Sequence, residues 1–184
     1  MNLGGLNWVD LIVLFLAIAA LAIGFAQGML RQVIGLAAFY IATILGAQYY
    51  TLMGDFIRAL MFQPTSRFLN AISFFIIVVV VWSLISWLAF DAYSSTKLRL
   101  FPLVDQLGGS ILSLATVVAT LTLVLPVFAF AVGETWPGNE TLRVIVDAGL
   151  HTSRLVPFFE ALKPIILSGL LPWLPMGLPS LFNL

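Results

Sequence analysis

The sequence contains no cysteine, so disulfides, thiolate nucleophiles and cysteine-ligated metals are excluded. Histidine occurs once, at His151, with no constellation of Asp, Glu or Cys evident around it, and reads as a surface residue. No Gly-x-Ser-x-Gly turn, phosphate loop or zinc motif occurs. We therefore expect no catalytic residue set, no metal site and no cofactor. Charge is also scarce: 9% of the 184 residues are charged, against roughly 25% in an average soluble domain. The polar surface needed to wrap a soluble core of this size is missing. Eight Lys+Arg balance eight Asp+Glu, which leaves no basic field to hold nucleic acid. In place of charge there is oil, with 61% hydrophobic residues and a mean hydropathy of +1.10.

The few charged residues punctuate the chain. Between them lie four uncharged stretches, 11–30, 32–54, 68–90 and 106–133. Each reaches the ~20 residues an α-helix needs to cross a ~30 Å hydrocarbon layer. A charge at mid-span would cost roughly 2.5–3.5 kcal/mol, so its absence is informative. Lipid offers no hydrogen bonds, and the backbone must satisfy itself within each segment; that selects helix even through the β-branched run Ile76 to Val81. The alternation a β-barrel requires is absent. The fold class expected is an all-α polytopic membrane protein with helices near 8–27, 31–52, 69–91 and 107–132. The first Lys or Arg is Arg31, after the first apolar run, so a retained helix is expected rather than a cleaved signal.

Two domains follow: a four-helix transmembrane unit over 1–132 and a C-terminal amphipathic tail over 133–184. Helices 1 and 2, joined through Gln27-Gly28-Met29-Leu30, are expected to form a tight antiparallel hairpin. Loops are expected at 53–68, with Pro64 as a breaker, and at 92–106, carrying Lys97 and Arg99. In the tail, Trp136-Pro137-Gly138-Asn139 reads as a turn with Asn139 as a helix N-cap. Two amphipathic pieces follow, too short to span and expected on the membrane surface or against the bundle. The proline-rich end from Leu171 to Pro179 is apolar enough to need a docking surface. Positive charges tie across the two sides of the membrane. The segment before helix 1 carries Asp10 and no cation, which tips the reading to both termini outside.

Small residues four apart let helices approach closely in lipid. Helix 1 has Ala20, Gly24 and Gly28; helix 2 has Ala38, Ala42 and Gly46. The leading expectation is that these two series pack against each other inside the hairpin, with a homodimer seam as the alternative. Helix 4 carries Gly109, Ser113, Thr116 and Thr120 on one face. That stripe reads first as packing, its hydroxyls bonded to helix backbone, and second as the wall of a polar pathway. Asp10 and Asp105 each open a span. The macrodipole favours carboxylates there, so capping is the first reading and proton or cation movement the second. Arg31 is expected to snorkel to headgroups, with pairing to a carboxylate as the alternative. The tryptophans fall mostly near helix ends and read as interfacial anchors.

These residues resemble the CvpA family, the colicin V production proteins of bacterial inner membranes. The likeness lies in Asn7-Trp8-Val9-Asp10, in Gly24-Phe25-Ala26-Gln27-Gly28-Met29-Leu30-Arg31, and in Val104-Asp105-Gln106-Leu107-Gly108. It covers about residues 7–132 and leaves the tail poorly covered. Gln32 stands where the family's Glu is usual, Gln106 replaces an Arg, and Leu112 holds a position where a glycine is expected. The resemblance implies a multi-pass protein of the bacterial inner membrane, linked to toxin production or export and envelope upkeep. The function expected is a non-enzymatic scaffold or accessory subunit whose partners are membrane lipid and other membrane proteins or copies of itself. The alternative is a small channel or transporter component using Asp10, Asp105 and the Ser113, Thr116 and Thr120 face.

Overall fold

The computed structural model describes residues 5–61, 67–92, 102–136, 139–174 and 177–182. The expectations for Pro64, for Lys97 and Arg99, and for Pro137-Gly138 fall outside these residues. All assigned elements are helical: α1 Trp8–Gln27, α2 Met29–Met61, α3 Arg67–Ala92, α4 Pro102–Val132, α5 Glu140–Thr152 and α6 Val156–Leu170. Short 3-10 turns follow at Leu171–Trp173 and Ser180–Phe182. Among the described residues, four helices are long and apolar enough to cross a membrane, or five spans if the bent pair α5–α6 is taken as one. Their outward faces are apolar, with Phe15, Ile18, Leu52 and Ile111 at 70, 67, 69 and 69% exposure. Water would not tolerate so much continuous exposed hydrocarbon, whereas lipid favours it.

Helices 2 and 4 run further than expected. Helix 2 continues through Asp55 and Arg58, because charge sets depth in the membrane, not backbone conformation. Arg58 bonds the Gly54 carbonyl at 3.2 Å and the Asn70 side chain at 3.0 Å, and pairs with Asp55 at 3.0 Å. Helix 4 starts five residues early at Pro102, a residue preorganised for a first helical turn.

The hairpin expectation needs correction. One residue, Gly28, links α1 to α2, at φ 82° and ψ 169°, a conformation open essentially to glycine alone. The two helices then diverge and share few contacts. Helix 1 packs antiparallel on α4, and α2 packs on α3. Gly28, Met29 and Asp105 thus mark one end of the bundle, the hairpin end; Asp10, Val132 and the tail mark the other, the tail end.

The tail takes the second of its two expected places, against the bundle. Helix 5 crosses the tail end, tied at its start by Arg143 to the Val132 carbonyl (3.0 Å) and near its finish by Asn7 to the Gly149 carbonyl (2.7 Å). A bend of 83° then turns the chain into α6. Helix 6 runs along α4 toward the middle of α2, where Tyr40 donates to the Gly169 carbonyl. Tyr40 stands about 16 Å along α2 from the hairpin end at 1.5 Å per residue, so α6 reaches near mid-depth. The chain then returns: Gln48 holds the Trp173 carbonyl at 2.7 Å, and Phe182 packs edge-on to Phe74 of α3 with ring centroids 5.7 Å apart. Leu170, Leu181 and Phe182 are buried with Phe39, Ala42, Val127 and Phe130 in the main core. Irregular backbone at membrane depth is tolerated where protein covers it, and α2, α3 and α4 cover this segment. Asn139 occupies the N-cap position of α5, but its side chain makes no capping bond.

Candidate functional site

Asp10 is fully buried. It receives the Asn7 amide of its own helix at 2.9 Å, then reaches 143 residues ahead to the Ser153 hydroxyl at 2.5 Å. The amides of Arg154 and Leu155 donate to it at 3.1 and 3.0 Å. Ser153 in turn accepts the amides of Leu155 and Val156, both at 3.2 Å. A carboxylate in the first turn of α1 therefore holds the corner at 153–155 that leads into α6, whose first amide, Val156, is received by Ser153. Asp105 does the reciprocal work at the hairpin end, where the Met29 amide at the start of α2 donates to it at 2.8 Å. A Cβ on Gly28 would meet that carboxylate at 2.3 Å, so Gly28 is held by contact as well as by its backbone angles. Capping or an interface position was the first sequence reading for both aspartates; Asp105 receives the first amide of α2, and Asp10 holds the corner before α6.

The two carboxylates stand at opposite ends of the α1–α4 pair and do not converge. The small residues of α1 face α4, not α2: a Cβ on Gly24 would lie 2.3 Å from the Gly109 carbonyl and 2.7 Å from Cβ of Ser113. Ala20 is buried on the same helix. Ala38 and Ala42 are buried on α2, and a Cβ on Gly46 would touch Val78 of α3 at 2.7 Å. Thr116 and Thr120 bond backwards to the carbonyls of Leu112 and Thr116, at 2.9 and 2.7 Å. Among the described residues, no buried side-chain polar atom lacks a partner.

Because α1 leans on α4 and α2 on α3, a cleft of about 480 Å³ opens between the pairs. Ser113, Thr116 and Thr120 line one wall, and Arg31, with Gln27 and Gln32, lines the hairpin end. Gln32 donates to Gln27 at 3.0 Å. Trp82 closes the α3 side, its indole donating to the Gly35 carbonyl at 3.2 Å. Trp82 lies within α3, not at its end, and is a wall residue the interfacial reading of tryptophans missed. A second pocket of about 330 Å³ at the tail end gathers Asp147, His151, Glu160 and Lys163. His151 is exposed as expected, but Asp147 one turn earlier lies 3.4 Å away, a carboxylate neighbour the sequence reading overlooked. Outside the spans, the Arg143 guanidinium bonds Glu140 at 2.7 Å and holds its carboxyl below the ordinary value.

Comparison with known families matches residues 9–164 to the family described as "Colicin V production protein". The chain belongs to this family. Its match runs past the four spans, through α5 and into α6, so membership in the colicin V production family includes more of the tail than the sequence motifs indicated. The matched stretch holds both aspartates and the Ser153 corner. No curated protein and no solved structure matches the chain.

Proposed function

We propose that this membrane protein is a non-enzymatic scaffold or accessory subunit of the bacterial inner membrane, serving toxin production or export and envelope upkeep; the family description "Colicin V production protein" supports the link to toxin production. The observation that carries this reading is the commitment of Asp10 and Asp105 to backbone amides at opposite ends of the bundle. Carboxylates committed to backbone amides are poor proton or cation carriers, and transporters usually place an ionisable group near the midplane. The outward face of α3 supports partner binding, since Val79, Leu84, Trp87 and Leu88 present a continuous apolar surface to lipid or to another membrane protein. Purification in gentle detergent should bring down membrane protein partners or further copies of the chain, and liposomes containing the protein should stay ion-tight. A clean monomer that conducts ions would overturn the reading.

The cleft beside Ser113, Thr116 and Thr120 favours a second reading, a small transport component. The liposome measurement separates the two.

A further inference from the structure

The pocket of about 330 Å³ at the tail end joins a carbon floor to a charged rim. Leu125 and Pro126 of α4 and Phe159 of α6 supply carbon. Asp147 and His151 of α5 and Glu160 and Lys163 of α6 supply the charge. The 83° bend between α5 and α6 folds these groups around the end of α4. Ser153 and the Asp10 carboxylate hold that bend, so the pocket stands on a fixed corner.

Helix register sets the depth of the pocket. Gly24 of α1 crosses Gly109 of α4, and the same number of residues beyond that crossing lie Trp8 and Leu125. The two are therefore level, and Val9 and Leu125 share one core cluster. Helix 1 has 20 residues, about 30 Å at 1.5 Å per residue, which matches a ~30 Å hydrocarbon layer. Trp8 and Leu125 thus mark its boundary at the tail end. The pocket runs outward from Leu125 to Gly133, into the headgroup layer.

The order of charge decides what fits. Glu160 and Lys163 share a face of α6, yet neither forms a salt bridge with any described residue. Helix 6 runs inward, so Lys163 lies about 4.5 Å deeper than Glu160. Asp147 adds a second carboxylate on the water side, shared with His151 at 3.4 Å. Arg143 is engaged by Glu140 and the Val132 carbonyl and does not line the pocket. Carboxylate outside and ammonium inside is the complement of an ethanolamine headgroup, whose ammonium is outermost and whose phosphate lies nearer the chains. A purely anionic headgroup would bring its charge against two carboxylates. Choline presents methyl groups where a primary ammonium presents three donors.

We propose that this pocket binds the headgroup of one phosphatidylethanolamine from the tail-end leaflet, its ammonium between Glu160 and Asp147 and its phosphate at Lys163. The carbon floor at Leu125 and Phe159 receives the root of the acyl chains, which commits the site to a lipid and not to a soluble ethanolamine phosphate. The inference names a lipid partner and does not depend on the scaffold role.

The test is native mass spectrometry of the full-length protein extracted gently from vesicles of phosphatidylethanolamine, phosphatidylcholine and phosphatidylglycerol in equal parts. One retained phosphatidylethanolamine per chain is expected, in preference to the other two. Glu160→Gln should lower its preference over phosphatidylcholine by about tenfold, the factor one charge-assisted hydrogen bond is worth. Lys163→Gln should lower its retention by a similar factor, and Lys163→Arg should restore most of it. These positions are on the rim, so the variants should keep wild-type helicity and melting. An excess of soluble phosphoethanolamine should leave the lipid in place. Equal retention of the three lipids, wild-type retention in either Gln variant, or displacement by phosphoethanolamine would overturn the proposal. Partner proteins recovered from the same extract report separately on the scaffold role.

Discussion

Gly24 of α1 and Gly109 of α4 cross so closely that a Cβ built on either lies 2.3 Å from the other's carbonyl oxygen. No real Cβ tolerates that distance, and the obstacle is backbone, which cannot swing aside as a side chain can. The α1–α4 seam is therefore a contact of main chain with main chain, and its packing is what draws α1 away from α2.

Gly24→Ala should destabilise the bundle by about 1–3 kcal/mol, the usual cost of overpacking a close contact. Gly35→Ala provides the contrast, because a Cβ there meets nothing within 4 Å. Helix propensity alone should make that variant neutral or more stable by up to ~1 kcal/mol. Thermal melting followed by circular dichroism in detergent compares them; equal melting temperatures would sink the argument.

Asp10→Ala should release the corner that leads into α6, leaving the Arg154 amide without its acceptor and the Leu155 amide with Ser153 alone, at about 1–3 kcal/mol. The corner between α5 and α6 should open, and trypsin should cut after Arg154 several-fold faster than in the wild type. Asp105→Ala removes a cap at the far end and should leave that cleavage rate unchanged. Fragment masses over time give the answer, and matching rates in the two variants would contradict separate caps.

Acid should loosen the start of α5 in a defined direction. The Glu140 carboxyl is held below its ordinary value of 4.5, first by the hydrogen bond from Arg143 and also by the Trp136 amide. A depressed carboxylate contributes stability above the unfolded value and loses it as pH falls through the folded value. Fluorescence of Trp136, in a chain whose other tryptophans are replaced by phenylalanine, should hold steady from neutrality to about 4.5 and change below it. Glu140→Gln should abolish that change.

The spans were legible because charge depletion over some twenty residues is a solvent statement, and solvent acts on each helix independently. Pairing was not legible. Ala20, Gly24 and Gly28 on α1 look equally suited to the small residues of α2 or to Gly109 on α4, and only the three-dimensional arrangement distinguishes them. The reach of α2 was underestimated because Asp55 and Arg58 read as loop, although their spacing suits an ion pair on one helix face. The cleft could not be foreseen, since it exists only because of that pairing, yet Gln27, Arg31 and Gln32 were a visible polar cluster beside the link. The tail partners of Asp10 lie 143 to 145 residues away, and no local pattern announces them.

Reciprocal capping also orders assembly in time. When α1 and α2 have been synthesised and enter the membrane, the amide at the head of α2 must wait 76 residues for the carboxylate that will receive it. Asp10, first in the chain, must wait nearly twice as long for the tail. Each early helix thus carries a vacancy that only a late one fills, so a chain interrupted before its end is left with a loose thread at one face of the membrane. The stability of the first helix thus depends on synthesis having passed Leu155.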